Sequence, residues 1–147
     1  MTTSTPLLDS RVIGLAHYAA RGVLESVLAR HDLTFQQLIT LRPVVTADGP
    51  AERADVVGQT TGALKTSATE ADAVVDTLIG KGLVTAAGSS RVHATDAGRA
   101  VVEAVNAEIA PVTARIYADI PTADLATAAR VLTVVTERAN AELAAQK

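Results

Sequence analysis

In SATEADAVVDTLIGKGLVTAAGSSRVHAT, residues 67–95 of a 147-residue chain, a helix signal runs directly into a hairpin signal. Ser67-Ala68-Thr69-Glu70 has the spacing of a capping box, which closes the first turn of a helix from both sides. Ala71, Val74, Val75 and Leu78 follow at helical spacing and make one apolar stripe. Gly80-Lys81-Gly82 ends the helix. Leu83 to Ala86 and Arg91 to Ala94 then read as two short strands around the tight turn Ala87-Gly88-Ser89-Ser90. Alternation puts Val84, Ala86, Val92 and Ala94 on one face, with Arg91 and His93 on the other.

Working towards the N-terminus, Thr34-Phe35-Gln36-Gln37 is a second capping-box pattern. It opens a short helix carrying Leu38, Ile39 and Leu41, which should stop before Pro43. Residues 44–50 read as a loop. A third helix fits residues 51–63, weakened by Gly58, Thr60, Thr61 and Gly62. A long first helix is expected over residues 7–30, with Thr5 as cap and Pro6 in its first position. Its polar residues Ser10, His17, Arg21 and Glu25 fall on one narrow line. A helix apolar over the rest of its circumference has to be covered on several sides. Beyond the hairpin, a helix is expected over residues 97–119, kinked by Pro111. A last helix after Pro121-Thr122 carries Leu125, Leu132, Val135 and Leu143.

Composition removes several function classes. No cysteine is present, which excludes disulfides, thiolate zinc sites and thiol nucleophiles. Phe35, Tyr18 and Tyr117 are the whole aromatic complement, too few for a stacking platform on single-stranded nucleic acid. His17, His31 and His93 lack metal-ligand spacing, so neither a metal nor a cofactor is expected. No nucleophile–histidine–acid set, phosphate loop or paired acids suggests an enzyme. The longest uncharged apolar runs fall short of the ~18 residues of a membrane span. Met1-Thr2-Thr3-Ser4-Thr5 lacks the order of a signal peptide. A globular cytoplasmic protein without a membrane partner is therefore expected.

Three central helices followed by a hairpin are the parts of a winged helix-turn-helix. In Leu33-Thr34-Phe35-Gln36-Gln37-Leu38, in Val75-Asp76-Thr77-Leu78-Ile79-Gly80-Lys81-Gly82-Leu83-Val84 and in Ala94-Thr95-Asp96-Ala97-Gly98-Arg99, the chain resembles the MarR family of bacterial winged helix-turn-helix transcription regulators. The resemblance implies a mainly α fold. Residues 1–6 would be a flexible tail, 34–95 a winged lobe of three helices and a short β-hairpin, and 7–33 with 96–147 a helical dimerisation region. It also implies a homodimer, a double-stranded DNA operator and a ligand-responsive regulator whose small molecule sits between dimer region and lobe.

Two departures from the family pattern bear on that expectation. The helix in the recognition position turns Thr69, Glu70, Asp72, Ala73, Asp76 and Thr77 outward, with no arginine or lysine before Lys81. Over residues 48–99 seven acids face five bases, an unfavourable balance beside phosphates. The hairpin is also short and lacks the family's Asp-x-Arg tip, leaving Arg91 and His93. Candidate DNA contacts are accordingly Lys65, Thr66, Ser67 and Thr69, around a helix N-terminus able to bind phosphate, together with Arg91. Capping alone also explains Ser67 and Glu70.

His17, Tyr18 and Arg21, with Phe35 and Arg42 nearby in a dimer, are the candidate ligand site. An arginine and a histidine beside an aromatic suit a small aromatic or carboxylate ligand. An Arg21–Glu25 ion pair is the competing reading of that line. Two alternatives to the regulator stay open: a dimer of the same fold that has lost its operator and binds or transforms a small molecule, and an acidic module that docks on a basic protein.

Overall fold

The computed structural model describes residues 5–147. The described residues form six helices and one three-stranded antiparallel sheet. In order these are α1 (Ser10–Ala29), α2 (Phe35–Thr46), β1 (Ala51–Glu52), α3 (Arg53–Leu64), α4 (Ala68–Gly80), β2 (Val84–Ala87), β3 (Arg91–Ala94), α5 (Asp96–Tyr117) and α6 (Thr122–Ala145). The fold is mainly α with a winged helix-turn-helix, as its sequence implies. Two compact units divide at Ala110 and Pro111, within α5.

The first unit holds the core. Leu28, Leu38, Leu41, Val56, Val75, Leu78, Val84, Val92 and Val105 are buried together, so α1 to α5 and the sheet all contribute to one apolar cluster. α2, α3 and α4 pack pairwise against one another, and α2 also packs on β3. The α2 cap is a complete capping box: Gln37 N donates to Thr34 Oγ1, and Thr34 N donates to Gln37 Oε1, both at 3.1 Å. At α4 only half of the expected box forms, with Glu70 N donating to Ser67 Oγ at 3.1 Å.

Several boundaries differ from the sequence reading. α1 starts at Ser10 rather than residue 7, because Asp9 supplies the cap by accepting from Val12 N at 2.9 Å. Thr5 and Pro6 precede it as exposed non-helical chain, and the rest of the expected tail, residues 1–4, lies outside the described residues. α2 runs through Pro43 to Thr46, so the expected loop shrinks to residues 47–50. The proline forfeits one backbone hydrogen bond, a penalty of about 3 kcal/mol. Keeping the turn helical buries Val44, worth roughly 1.5–3 kcal/mol, to 1% exposure.

The start of the expected third helix is instead a strand. Ala51 and Glu52 pair with Val92 and Arg91 of β3, giving the order β1-β3-β2. β2 is shifted by one residue to Val84–Ala87 and lies at the sheet edge. Val84, Val92 and Ala94 are buried as expected, but Ala86, next to the turn on an edge strand, is exposed. His93, expected outside with Arg91, is half-buried, its Nε2 3.4 Å from Arg99 Nη2.

The second unit, Pro111–Lys147, comprises the end of α5, a turn with Asp119 at φ 62°, and α6. No α6 residue is buried within the chain, and Leu132, Val135 and Leu143 are all exposed. On α1, Leu15 and Tyr18 are likewise exposed, at 57% and 70%. α1 is also the one described helix long and apolar enough to cross a membrane by length and composition.

Candidate functional site

Lys65-Thr66-Ser67 is the turn between α3 and α4. Lys65 takes the left-handed conformation, φ 57°, that caps α3, and Ser67 caps α4 two residues later. The turn therefore brings Lys65, Thr66, Ser67 and Thr69 together at one helix N-terminus. Thr69 is exposed, whereas Thr66 Oγ1 is buried without a hydrogen-bond partner. Thr66 and Glu70 border a cavity of about 350 Å³ that also meets Gln36 and Thr60.

Arg91 stands apart from that turn, on β3. It is exposed, and its Nε donates to Glu52 Oε1 at 2.9 Å. That bond, with a smaller contribution from Ser90, holds the Glu52 carboxyl below the usual carboxylate range. The one arginine of the wing is thus already engaged by the strand that sequence reading missed.

The acids of α4 are not all bare. Arg53, the first residue of α3, donates from Nε to Asp72 Oδ1 and from Nη2 to Asp76 Oδ1, each at 2.8 Å. The bond to Arg53 lowers the Asp72 pKa, and the same pair raises that of Arg53. Sequence reading counted these charges without joining them. The i, i+4 spacing of Asp72 and Asp76 was the available signal; the arginine that meets them is 19 residues away from the nearer one.

Four of the five candidate ligand residues come together. The His17 ring centroid lies 5.8 Å from that of Tyr18 and 6.2 Å from that of Phe35, the latter edge-on. The Arg21 guanidinium carbon sits 4.3 Å above the Phe35 ring, a cation–π arrangement. Arg21 also makes the competing ion pair, its Nε donating to Glu25 Oε1 at 2.8 Å. Arg42 is directed elsewhere, its Nη2 donating to Asn106 Oδ1 at 3.5 Å. Across α1 and α2, then, a cation, an imidazole and two aromatic rings form one half-open cluster.

Neither a family model nor a curated protein matches this sequence. Solved structures do match the fold. Staphylococcus aureus MarR in complex with salicylate and kanamycin superposes with a TM-score of 0.77 at 16% identity, covering 90% of each chain. The fold is that of the MarR regulators. CouR from Rhodococcus jostii RHA1, bound to p-coumaroyl-CoA, is similar to this chain with a TM-score of 0.70 at 16% identity, over 85% of this chain and 88% of that one. Wild-type apo MarR from E. coli gives 0.66 at 17% identity, over 89% and 98%.

Proposed function

We propose that this chain is a ligand-responsive, homodimeric regulator that binds a double-stranded DNA operator, located in the cytoplasm and without catalytic activity. The observation that carries the reading is the α3–α4 helix-turn-helix beside a three-stranded wing, within a fold shared with MarR regulators. Residues 34–95 act as the DNA-binding lobe in this proposal, and 7–33 with 96–147 as the dimerisation region. Exposed Leu15 and Tyr18 on α1, and Val131 and Val135 on α6, are apolar side chains that a second copy would cover. Lys65, Ser67 and Thr69 meet phosphate at the α4 N-terminus, Thr66 offers only its backbone there because its hydroxyl is buried, and Arg91 reaches phosphate from the wing.

The cluster of His17, Tyr18, Arg21 and Phe35 takes a small aromatic carboxylate. Arg42 contributes only if it leaves Asn106. Such a ligand displaces Glu25 from Arg21 and biases the α1–α2 arrangement on which the lobe is built, a differential contact of the kind that shifts a two-state equilibrium. Salicylate, found in one of the similar structures, is the first probe.

Capture of fragmented bacterial genomic DNA by the purified protein tests the proposal. A retained discrete fragment whose affinity falls steeply with salt supports it. A folded dimer that retains nothing at low salt defeats it. That outcome favours the second reading, a dimer that binds or transforms a small molecule without an operator, for which the carboxylates of α4 and the short wing are the motivating observations.

A further inference from the structure

The outward side of α4 is unusual for a helix that has to lie against a polyanion. Its sequence, ATEADAVVDTLIG, contains no arginine, lysine, asparagine or glutamine. Thr69, Ala73 and Thr77 form a line of small exposed residues, and Asp72 and Asp76 flank it. The two side chains are 50% and 68% exposed, so both carboxylates are open to solvent on that side.

Arg53 changes that surface. Its Nε and Nη2 take one carboxylate each on successive turns of α4, and Nη2 also donates to the Asp72 carbonyl at 3.2 Å. The Arg53 side chain is only 27% exposed, and its guanidinium is turned towards α4. Its backbone is fixed as well, because Arg53 N donates to Ser90 O at 2.9 Å, in the turn of the wing. A cation held from two sides thus converts a doubly acidic flank into a singly charged one.

We propose that Arg53 is a positioning residue for DNA binding, acting by offsetting the charge of Asp72 and Asp76 rather than by contacting phosphate. The inference rests on the DNA-binding reading above. A carboxylate about 6 Å from a phosphate repels it by about threefold in affinity even at the dielectric of water, so losing the one positive charge that offsets the pair should weaken binding roughly threefold. The effect should fade as salt screens it.

The test uses the full-length protein and a fluorescein-labelled random-sequence duplex of about 30 base pairs, long enough for two half-sites one helical turn apart. Anisotropy is measured for wild type, Arg53→Gln, and Arg53→Gln combined with Asp72→Asn and Asp76→Asn, with thermal melts reporting folding. Arg53→Gln should bind roughly threefold more weakly at low salt, and the triple variant should recover wild-type affinity or exceed it. A triple variant as weak as Arg53→Gln overturns the proposal, since the arginine then acts on DNA directly. Equal binding by wild type and Arg53→Gln overturns it too. A wild-type protein that retains no duplex at low salt removes the DNA reading and this inference together, an outcome distinct from the other two.

Discussion

The carbonyl of Leu83 lies directly beneath the α-carbon of Gly98, so close that a β-carbon there would overlap it. That carbonyl also accepts from Thr95 N at 3.1 Å, fixing the first turn of α5 against the entry to the wing. Gly98→Ala must push backbone away from backbone, and overpacking of this kind typically costs about 1–3 kcal/mol. The urea midpoint should fall accordingly, with α5 and the wing root losing amide protection first. An unchanged midpoint would mean that the two elements can separate freely.

Lys81 reaches back from the end of α4 to the turn between α1 and α2. Its Nζ donates to the carbonyl of Asp32 and, at 2.9 Å, to Gln37 Oε1. Gln37 is the residue that completes the α2 capping box. Lys81→Met keeps the aliphatic stem and removes the donors, so it should destabilise by about 1.5–3 kcal/mol, the range for charge-assisted bonds. A chemical-denaturation series reads this directly, and a change under half that size would mark the contact as incidental.

Glu108 accepts from Arg30 Nη2 at 2.8 Å and stands equally close to His31 Nε2. Arg30 first, then His31, hold its carboxyl below the usual range; Arg53 does the same for Asp72. A carboxylate with a depressed native pKa contributes stability that is present above its unfolded value of about 4. The contribution is lost as pH falls through the native value. Unfolding midpoints should therefore decline as pH drops from about 5 into the acid range. Glu108→Gln should flatten that decline while changing the neutral-pH slope little, which denaturation at stepped pH would reveal.

Arg91 is held by Glu52. If the arginine contacts phosphate, Glu52→Gln frees it and should tighten DNA binding at low salt. Arg91→Ala should weaken binding across all sequences and lower the salt slope by about one unit. Filter binding at several salt concentrations separates the two. Identical slopes for wild type and Arg91→Ala would take this residue out of the interface.

Glu25 occupies the Arg21 nitrogen that a carboxylate ligand would take in the proposed site. Glu25→Gln should raise salicylate affinity, whereas Phe35→Ala should lower it by removing the ring under the guanidinium. Calorimetric titration is the measurement. Insensitivity to both changes would place salicylate binding elsewhere.

Much of the winged helix could be read from local pattern, since each signal sits within a few residues of what it specifies. Ser67 caps α4, the Thr34–Gln37 box caps α2, and the periodic Ala71, Val75 and Leu78 are the residues α4 buries. The hairpin followed from alternation around a glycine turn. The His17, Tyr18, Arg21 and Phe35 grouping was legible because three of the four share neighbouring turns of one helix.

What the tertiary structure alone decided involves partners far apart along the chain. β1 exists because Ala51 and Glu52 meet β3 some 40 residues later, and two residues carry no period of their own. α2 continues past Pro43 with Val44 taken into the core, a burial comparable in size to the local penalty that it offsets. Arg53 joins Asp72 and Asp76 only because α3 and α4 pack together. Sequence determines the sign and number of those charges; packing determines which of them face each other, and hence what α4 presents to the outside.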